Sequence, residues 1–435
     1  MSKEIVFTIV AKNYIGLAGV LGESVLKNSP NTEFYVVIAD EIEKSLLPTD
    51  ENIKYLVAKQ TLAIASNTWY EMAFKYNLTE FCTSIKPFCF SYFFNLYHDV
   101  KVIYLDPDIL VFSPLDELWD ILSTKTAIIT PHIVTAENEY SGPARELNIM
   151  INGIYNLGFL ALKKNTSSIK IVNWWQNRLI KFCFAEKSDG LYTDQKWINF
   201  FPVFLSSHEL EISTNIGLNV APWNFYERQI VKEQDGWFVT NRIEQTEKQK
   251  LIFVHYSGFD YKKLTKINTH NKNIANLTIY EDTKTIFEEY HNALAKGDIA
   301  KYFAITYSYN NFTNGDVIVS FHRRLYRRLI EDGVLLPNPF ETSNQKCFHE
   351  LLKKAGLLIK KKPGMGIDQL NDQNFEGFGK KLYALNIYHK ILKRVLGTER
   401  YLLFSRFMPR YHRPENQVFL LLQTYMHTSY KIEYC

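Results

Sequence analysis

No stretch of this chain stays apolar for the roughly 18 residues that a membrane-crossing helix requires. No segment is of low complexity, and none repeats at a fixed period. Cysteine is scarce as well. The five present (Cys82, Cys89, Cys183, Cys347 and Cys435) are scattered, without the C-x-x-C spacing of zinc or redox sites. An odd, dispersed set reads as free thiols in a reducing compartment. With no cleavage pattern after MSKEIVFTIVAKNY, a cytoplasmic protein is expected. An excess of one charge is also lacking: 50 Lys and Arg face 46 Asp and Glu. That balance, with no helix-turn-helix or RNP-like pattern, leaves nucleic acid without a role.

What the chain does have is bulk and rings. Its 435 residues exceed the roughly 250–300 at which single cores stop growing, so two domains are expected. Hydrophobic residues make up 46% and aromatic residues 15%, enough for a packed core and some ring platforms for flat ligands. The small net charge hides an uneven distribution. From Leu351 onward 15 basic residues face 6 acidic ones, whereas the first 350 residues carry 35 against 40. Rings interleave that basic end in FGKKLY, YHKILKR and RYLLFSRFMPRYHR, a composition suited to an anionic surface such as the inner face of a membrane.

The first half alternates strand-like with helix-like segments. EIVFTIVA (Glu4–Ala11), EFYVVIAD (Glu33–Asp40), NIKYLVA (Asn52–Ala58) and KVIYLDPD read as strands. Helical stretches run from Tyr14 to Lys27 and from about Leu78 to Tyr97, and the short runs TAIITPHI and YNLGFLALK follow. This alternation predicts an α/β layer on a mixed, mostly parallel sheet. In such sheets ligands gather at the carboxyl ends of the strands, which is where Asp40, Asp106 and Asp108 fall. After about Tyr280 the pattern turns helical. The expected division is an α/β domain over 1–275 and a mainly helical region over 276–435.

One segment carries chemistry. In YLDPDILVF an apolar strand runs directly into two acids separated by one residue. Pro107 withholds a backbone donor and stiffens the turn. Two close carboxylates plus a diphosphate supply the oxygen ligands that a hard divalent cation prefers, and such a cation offsets charge on a departing phosphate. A polar solvent turn would not need Leu110 and Val111 immediately behind it.

KPFCFSYFFNLYHDVKVIYLDPDILVFSPLDEL resembles the core of bacterial GT-A glycosyltransferases, and is similar to glycosyltransferase family 8 and its relatives from polysaccharide gene clusters. YNLGFLALKK, LYTDQKWINFF and IFVHYSGFD match in the same order, so the resemblance covers about residues 3–265. It implies a Rossmann-like GT-A fold, a Mn²⁺ or Mg²⁺ ion, a nucleoside-diphosphate-sugar donor of the uridine type, and a glycan, lipid-linked or protein acceptor. Asp106, Asp108 and His255 correspond to the metal ligands. Asn156 and Gly158 correspond to the N-x-G turn of the sugar pocket, and Asp194 and Gln195 to the D-Q pair beside the transferred sugar. Gly258 lets the backbone pass the phosphates. Ala11, Asn13 and Asp40 lie on the donor's edge of the sheet, and Lys86 replaces the family's Arg on the helix before the acids. The family's H-x-x-G-x-x-K-P-W runs here as HYSGFDYKKL, without Pro-Trp, so Lys262 or Lys263 stands in for the phosphate-contacting lysine. Trp69, Trp197, Trp223 and Tyr256 are the candidate ring platforms.

The set resembles the retaining type, in which the diphosphate itself can take the acceptor's proton. Inversion with Asp194 as base is the alternative. A non-catalytic carbohydrate-binding protein of the same fold is a further alternative. A haloacid-dehalogenase-like phosphatase would place its acids after the first strand and a hydroxyl where Leu110 stands. A sugar nucleotidyltransferase would carry an arginine in IVAKNYIGLAG.

Overall fold

The computed structural model describes residues 2–136, 145–245, 247–259, 279–336, 338–359 and 377–421. The central layer is a seven-stranded sheet. Its strands are β1 (Lys3–Val10), β2 (Glu33–Ile38), β3 (Ile53–Val57), β4 (Val100–Leu105), β6 (Ala127–Ile129), β7 (Phe159–Lys163) and β8 (Leu210–Ile212). Strand β5 (Ile109–Val111) follows β4 but leaves the sheet. The order is β3-β2-β1-β4-β7-β6-β8. All neighbours run parallel except at β7, which is antiparallel to both β4 and β6. The mixed, mostly parallel α/β sheet read from the alternation is therefore present. β1 and β4 are nearly continuous apolar runs because helices cover both of their faces.

This topology fixes one working edge. The carboxyl ends of β1, β2, β4 and β6 point the same way and deliver Ala11–Asn13, Asp40, Asp106 and Thr130–His132. Because β7 is reversed, that edge also receives its amino end, with Asn156 and Gly158 just before Phe159.

Three further strands, β9 (Arg228–Glu233), β10 (Gly236–Asn241) and β11 (Gln249–Lys250), form an antiparallel sheet. Strand β12 (Phe253–His255) then pairs antiparallel with β5, in the register Val254↔Leu110 and His255↔Ile109. Behind them, Ile216, Val220, Phe225, Leu251 and Tyr256 pack with Ile286, Phe287, Tyr290 and Leu294 of the helix Lys284–Lys296.

One helix and one unit boundary differ from the sequence reading. The stretch from Leu78 to Tyr97 is two helices, Leu78–Ser84 and Lys86–Leu96, because Pro87 begins the second. The compact first unit extends to Tyr307 instead of ending near residue 275. The helix Lys284–Lys296 belongs to this unit because its apolar face closes the core. The second unit comprises Ala65–Asn77 and the chain from Ser308 onward. Within it, Phe74 packs among Phe312, Tyr326, Phe340 and Phe348. The buried Arg323 donates to the carbonyls of Ala73, Phe74, Tyr76 and Tyr309, closing off the end of the helix Ser66–Lys75. An early segment is thus captured by a later one, which no local sequence pattern announces.

Candidate metal and donor site

After β4 the chain turns tightly, with the Ile109 amide donating to the Asp106 carbonyl at 3.1 Å. Asp at the first and Pro at the second position of a four-residue turn are favoured choices. The turn aims both carboxylates outward while β5 departs. The β5–β12 pairing then sets His255 beside the turn, and the Tyr256 amide locks it by donating to the Asp108 carbonyl at 2.9 Å. His255 Nε2 lies 3.2 Å from Asp108 Oδ1 and 3.7 Å from Asp106 Oδ2. One ligand atom from each of the three side chains lies within 4.8 Å of the others. The imidazole is 5% exposed and the acids 30% and 25%, so the cluster has a closed wall and an open mouth.

The donor set fits a divalent cation. Two carboxylates suit any hard ion, and a neutral imidazole favours Mn²⁺ over Mg²⁺. Burial alone would strip a proton from His255. The hydrogen bond and charge of Asp108, helped by Asp106, outweigh it and raise the imidazole's pKa. Loss of surrounding water likewise pushes Asp106 above the usual carboxylate range, with Asp108 adding to the effect and Lys86 and His255 opposing it. Two acids brought together against their mutual repulsion, with an imidazole beside them, form a cluster that a cation would relieve.

A polar frame supports the cluster. Tyr104, two residues before Asp106 on β4, donates its hydroxyl to Asp106 Oδ1 at 2.5 Å. Lys86 Nζ sits 4.0 Å over the Tyr104 ring, 3.0 Å from the Leu157 carbonyl and 2.6 Å from Asp194 Oδ2. Lys86 and Asp194 are 1% and 3% exposed at their side chains, so this is a buried ion pair. Asp194 also accepts from Thr193 Oγ1 at 3.1 Å. Gln195 is a brace: its Oε1 accepts from the Leu157 amide and its Nε2 donates to the Asn152 carbonyl. Asn156 Oδ1 accepts from the Gly158 amide and from Asn219 Nδ2, and its Nδ2 faces His132 Nε2. Burial holds His132 down to about 4, so it stays neutral, with Nδ1 against the Ile154 carbonyl. Thr193 and Asn219 both take positive φ, 47° and 53°. For the β-branched Thr193 this costs about 1–2 kcal/mol, whereas Asn adopts the region more readily. Strain at Thr193 within this frame is consistent with a functional centre.

Several residues take a different part from the one the sequence suggested. Gly158 is small because of His255, where a Cβ would come within 2.4 Å of the imidazole. Gly158→Ala should therefore displace the ring. We expect Mn²⁺ affinity, read by electron paramagnetic resonance, to fall at least tenfold while far-ultraviolet circular dichroism is retained. Lys86 meets Asp194 first and is not an unengaged cation. Tyr256 is no sugar platform: it stacks on Tyr290 at 3.9 Å and donates to the Ile286 carbonyl. Trp69 is 1% exposed and donates to Tyr309, and Trp197 joins a ring cluster with Trp174 and Phe182. Trp223 alone of the four rings stands at the cluster, edge-on to both His255 and His132. Ala11 is buried and Asn13 half-buried after β1, while Lys12 Nζ reaches Asp40 Oδ1 at 3.6 Å. Gly258 has φ +78°, a left-handed turn that favours glycine. Lys262 lies outside the described residues, as does Lys263.

Tyr104 and His132 were missed, although both carried a signal. Tyr104 is at i−2 from Asp106 on a strand and so shares its face. His132 follows a strand that ends on the working edge. Asn219 and Thr193 carried none, since their positions depend on distant loops.

Residues 5–199, just under half of the chain, match the profile of glycosyl transferase family 8. That span includes Asp106, Asp108, Asn156, Gly158, Asp194 and Gln195, and stops before Trp223 and His255. No curated protein matches the chain significantly. Among solved structures, the galactosyltransferase LgtC in complex with donor and acceptor sugar analogues is 16% identical, with TM-score 0.39, covering 68% of this chain and 96% of its own. The bifunctional glycosyltransferase WbbM is 14% identical, with TM-score 0.38, covering 69% of this chain and 52% of its own. Glycosyltransferase GlyE of Streptococcus pneumoniae is 14% identical, with TM-score 0.37, covering 72% and 67% respectively. Over residues 5–199 the chain is similar to glycosyl transferase family 8.

Proposed function

We propose that the protein is a glycosyltransferase that moves a sugar from a nucleoside-diphosphate sugar, uridine diphosphate being the favoured carrier, to an acceptor hydroxyl on a glycan, lipid-linked or protein substrate. The single observation that carries the reading is the Asp106–Asp108–His255 cluster at the sheet edge. When bound there, Mn²⁺ would supply positive charge to the departing diphosphate. The chain's own residues would do the rest. Asp106 and Asp108 would present oxygens from a stiff turn and His255 its Nε2 from the β12 end. Tyr104 would hold Asp106 in one rotamer. Asn156 and Gln195 would fix the 152–158 loop that walls the sugar pocket, and Trp223 would offer an apolar ring edge to a pyranose.

Retention is the better supported outcome. An inverting enzyme needs a carboxylate aimed at the acceptor hydroxyl and able to take its proton. Asp194 was the candidate, but it is 2% exposed and engaged by Lys86 at 2.6 Å, which suits a charge-holding part and not proton abstraction. A donor screen tests the function. Thermal melting with UDP, GDP and CMP, each with and without Mn²⁺, should show a rise for one nucleotide only when Mn²⁺ is present. No Mn²⁺-dependent rise with any of them would remove the reading.

A further inference from the structure

The helices Phe378–Leu396 and Thr398–Tyr411 form a hairpin with no buried residue in either member. Half-buried residues include His389, Leu392 and Leu396 on one helix and Tyr401, Phe404 and Met408 on the other, with Tyr401 hydroxyl and His389 Nδ1 3.2 Å apart at the seam. Outside the seam a second apolar stripe recurs at helical spacing. Ile387, Tyr388, Ile391 and Val395 are 41%, 53%, 58% and 75% exposed, and on the second helix Leu402 and Leu403 are 53% and 65% exposed. Isolated exposed apolar residues need no account, but a contiguous stripe does. Among the described residues nothing covers it.

Charge indicates what would. Between Phe378 and Tyr411 there are eight Lys and Arg and one acid, Glu399. On the first helix Lys390, Lys393 and Arg394 cluster on an arc beside the apolar stripe. A second copy of the same strongly positive surface would be repelled. An aqueous protein partner of opposite charge would leave the apolar stripe unsatisfied unless it also offered apolar surface. A bilayer interface with anionic headgroups answers both features at once, taking the apolar residues into the acyl boundary and the basic ones at the phosphates. Neither helix is apolar enough to cross a membrane, so the hairpin would lie in the interface plane.

We propose that the 378–411 hairpin is an interfacial anchor for anionic lipid, seating Ile387, Tyr388, Ile391 and Val395 in the headgroup layer. The proposal goes beyond the sugar-transfer reading and does not depend on it, because the residues concerned all belong to the second unit. The full chain should float with vesicles of phosphatidylcholine containing 30 mol% phosphatidylglycerol. Its partition should fall at least tenfold on pure phosphatidylcholine, and again when salt is raised to 0.5 M. Ile391→Glu with Val395→Glu should cut partition onto anionic vesicles at least tenfold, and Lys390→Glu with Lys393→Glu should abolish the preference for anionic lipid. In both variants far-ultraviolet circular dichroism and the thermal melting midpoint should stay at the wild-type level, showing that the protein is folded. Unchanged flotation of the Ile391→Glu, Val395→Glu protein would overturn the proposal. So would a wild-type dimer in sedimentation analysis that dissociates in that variant, since a second copy would then be what covers the stripe.

Discussion

Asp108→Asn is expected to abolish sugar transfer and, in the same protein, to remove the Mn²⁺ dependence of nucleotide binding. The substitution keeps the size of the side chain and the turn closed by Ile109, but removes the charge that faces His255 Nε2 at 3.2 Å. Changing outer partners of metal ligands typically costs 10–100-fold in affinity or activity. Loss of a ligand itself should exceed that, so a residual rate below about 1% of wild type is expected. Fold should be unaffected, because Asp108 is partly exposed and its backbone carbonyl still receives the Tyr256 amide. Steady-state kinetics with the nucleotide sugar, alongside isothermal titration of Mn²⁺ with the nucleotide, separates the two losses. A variant that loses transfer but still binds nucleotide only with Mn²⁺ would move Asp108 from metal holding to another part of the chemistry.

Lys86→Met is expected to give the largest loss of stability of any single change near the site. The methylene stem is retained, but Asp194 would be left charged, almost wholly buried and without its cation. Breaking one member of a buried pair costs about 3–5 kcal/mol, because the remaining charge has no compensation. The carbonyl of Leu157 would lose its donor as well. The double change Lys86→Met, Asp194→Asn should recover most of the loss, since the surviving group is then neutral. Urea titration of the first unit's tryptophan fluorescence reads both. Equal stability of wild type and Lys86→Met would show that the pair contributes through position alone.

The two predictions draw on different amounts of sequence information. The acids of YLDPDILVF were legible because a short local pattern sets them: an apolar strand, a proline-stiffened turn and a second apolar strand. His255 was legible only through its strand and the glycine behind it, and its place beside Asp108 depends on the β5–β12 register, a contact between segments far apart in the chain. The Lys86–Asp194 pair was not legible as a pair. Each residue points to a donor contact when read alone, and it is the packing of the helix Lys86–Leu96 against the helix Thr166–Phe182 that brings the segment carrying Asp194 to Lys86. Gly158 was identified correctly, but its role as space for the His255 ring requires coordinates. The same division holds for the fold. Alternation showed the layer and most of its strands, whereas the capture of Ala65–Asn77 by the second unit rests on Arg323 reaching four carbonyls and has no periodic signature.

The central claim is that Asp106, Asp108 and His255 hold one divalent cation together with the donor's diphosphate. Crystals grown with Mn²⁺ and UDP, measured for anomalous scattering at the manganese edge, test it most directly. The account predicts a single strong peak within coordination distance of one oxygen from each acid, of His255 Nε2 and of the diphosphate. A peak elsewhere, or nucleotide bound at this edge with no metal between it and Asp108, would contradict it.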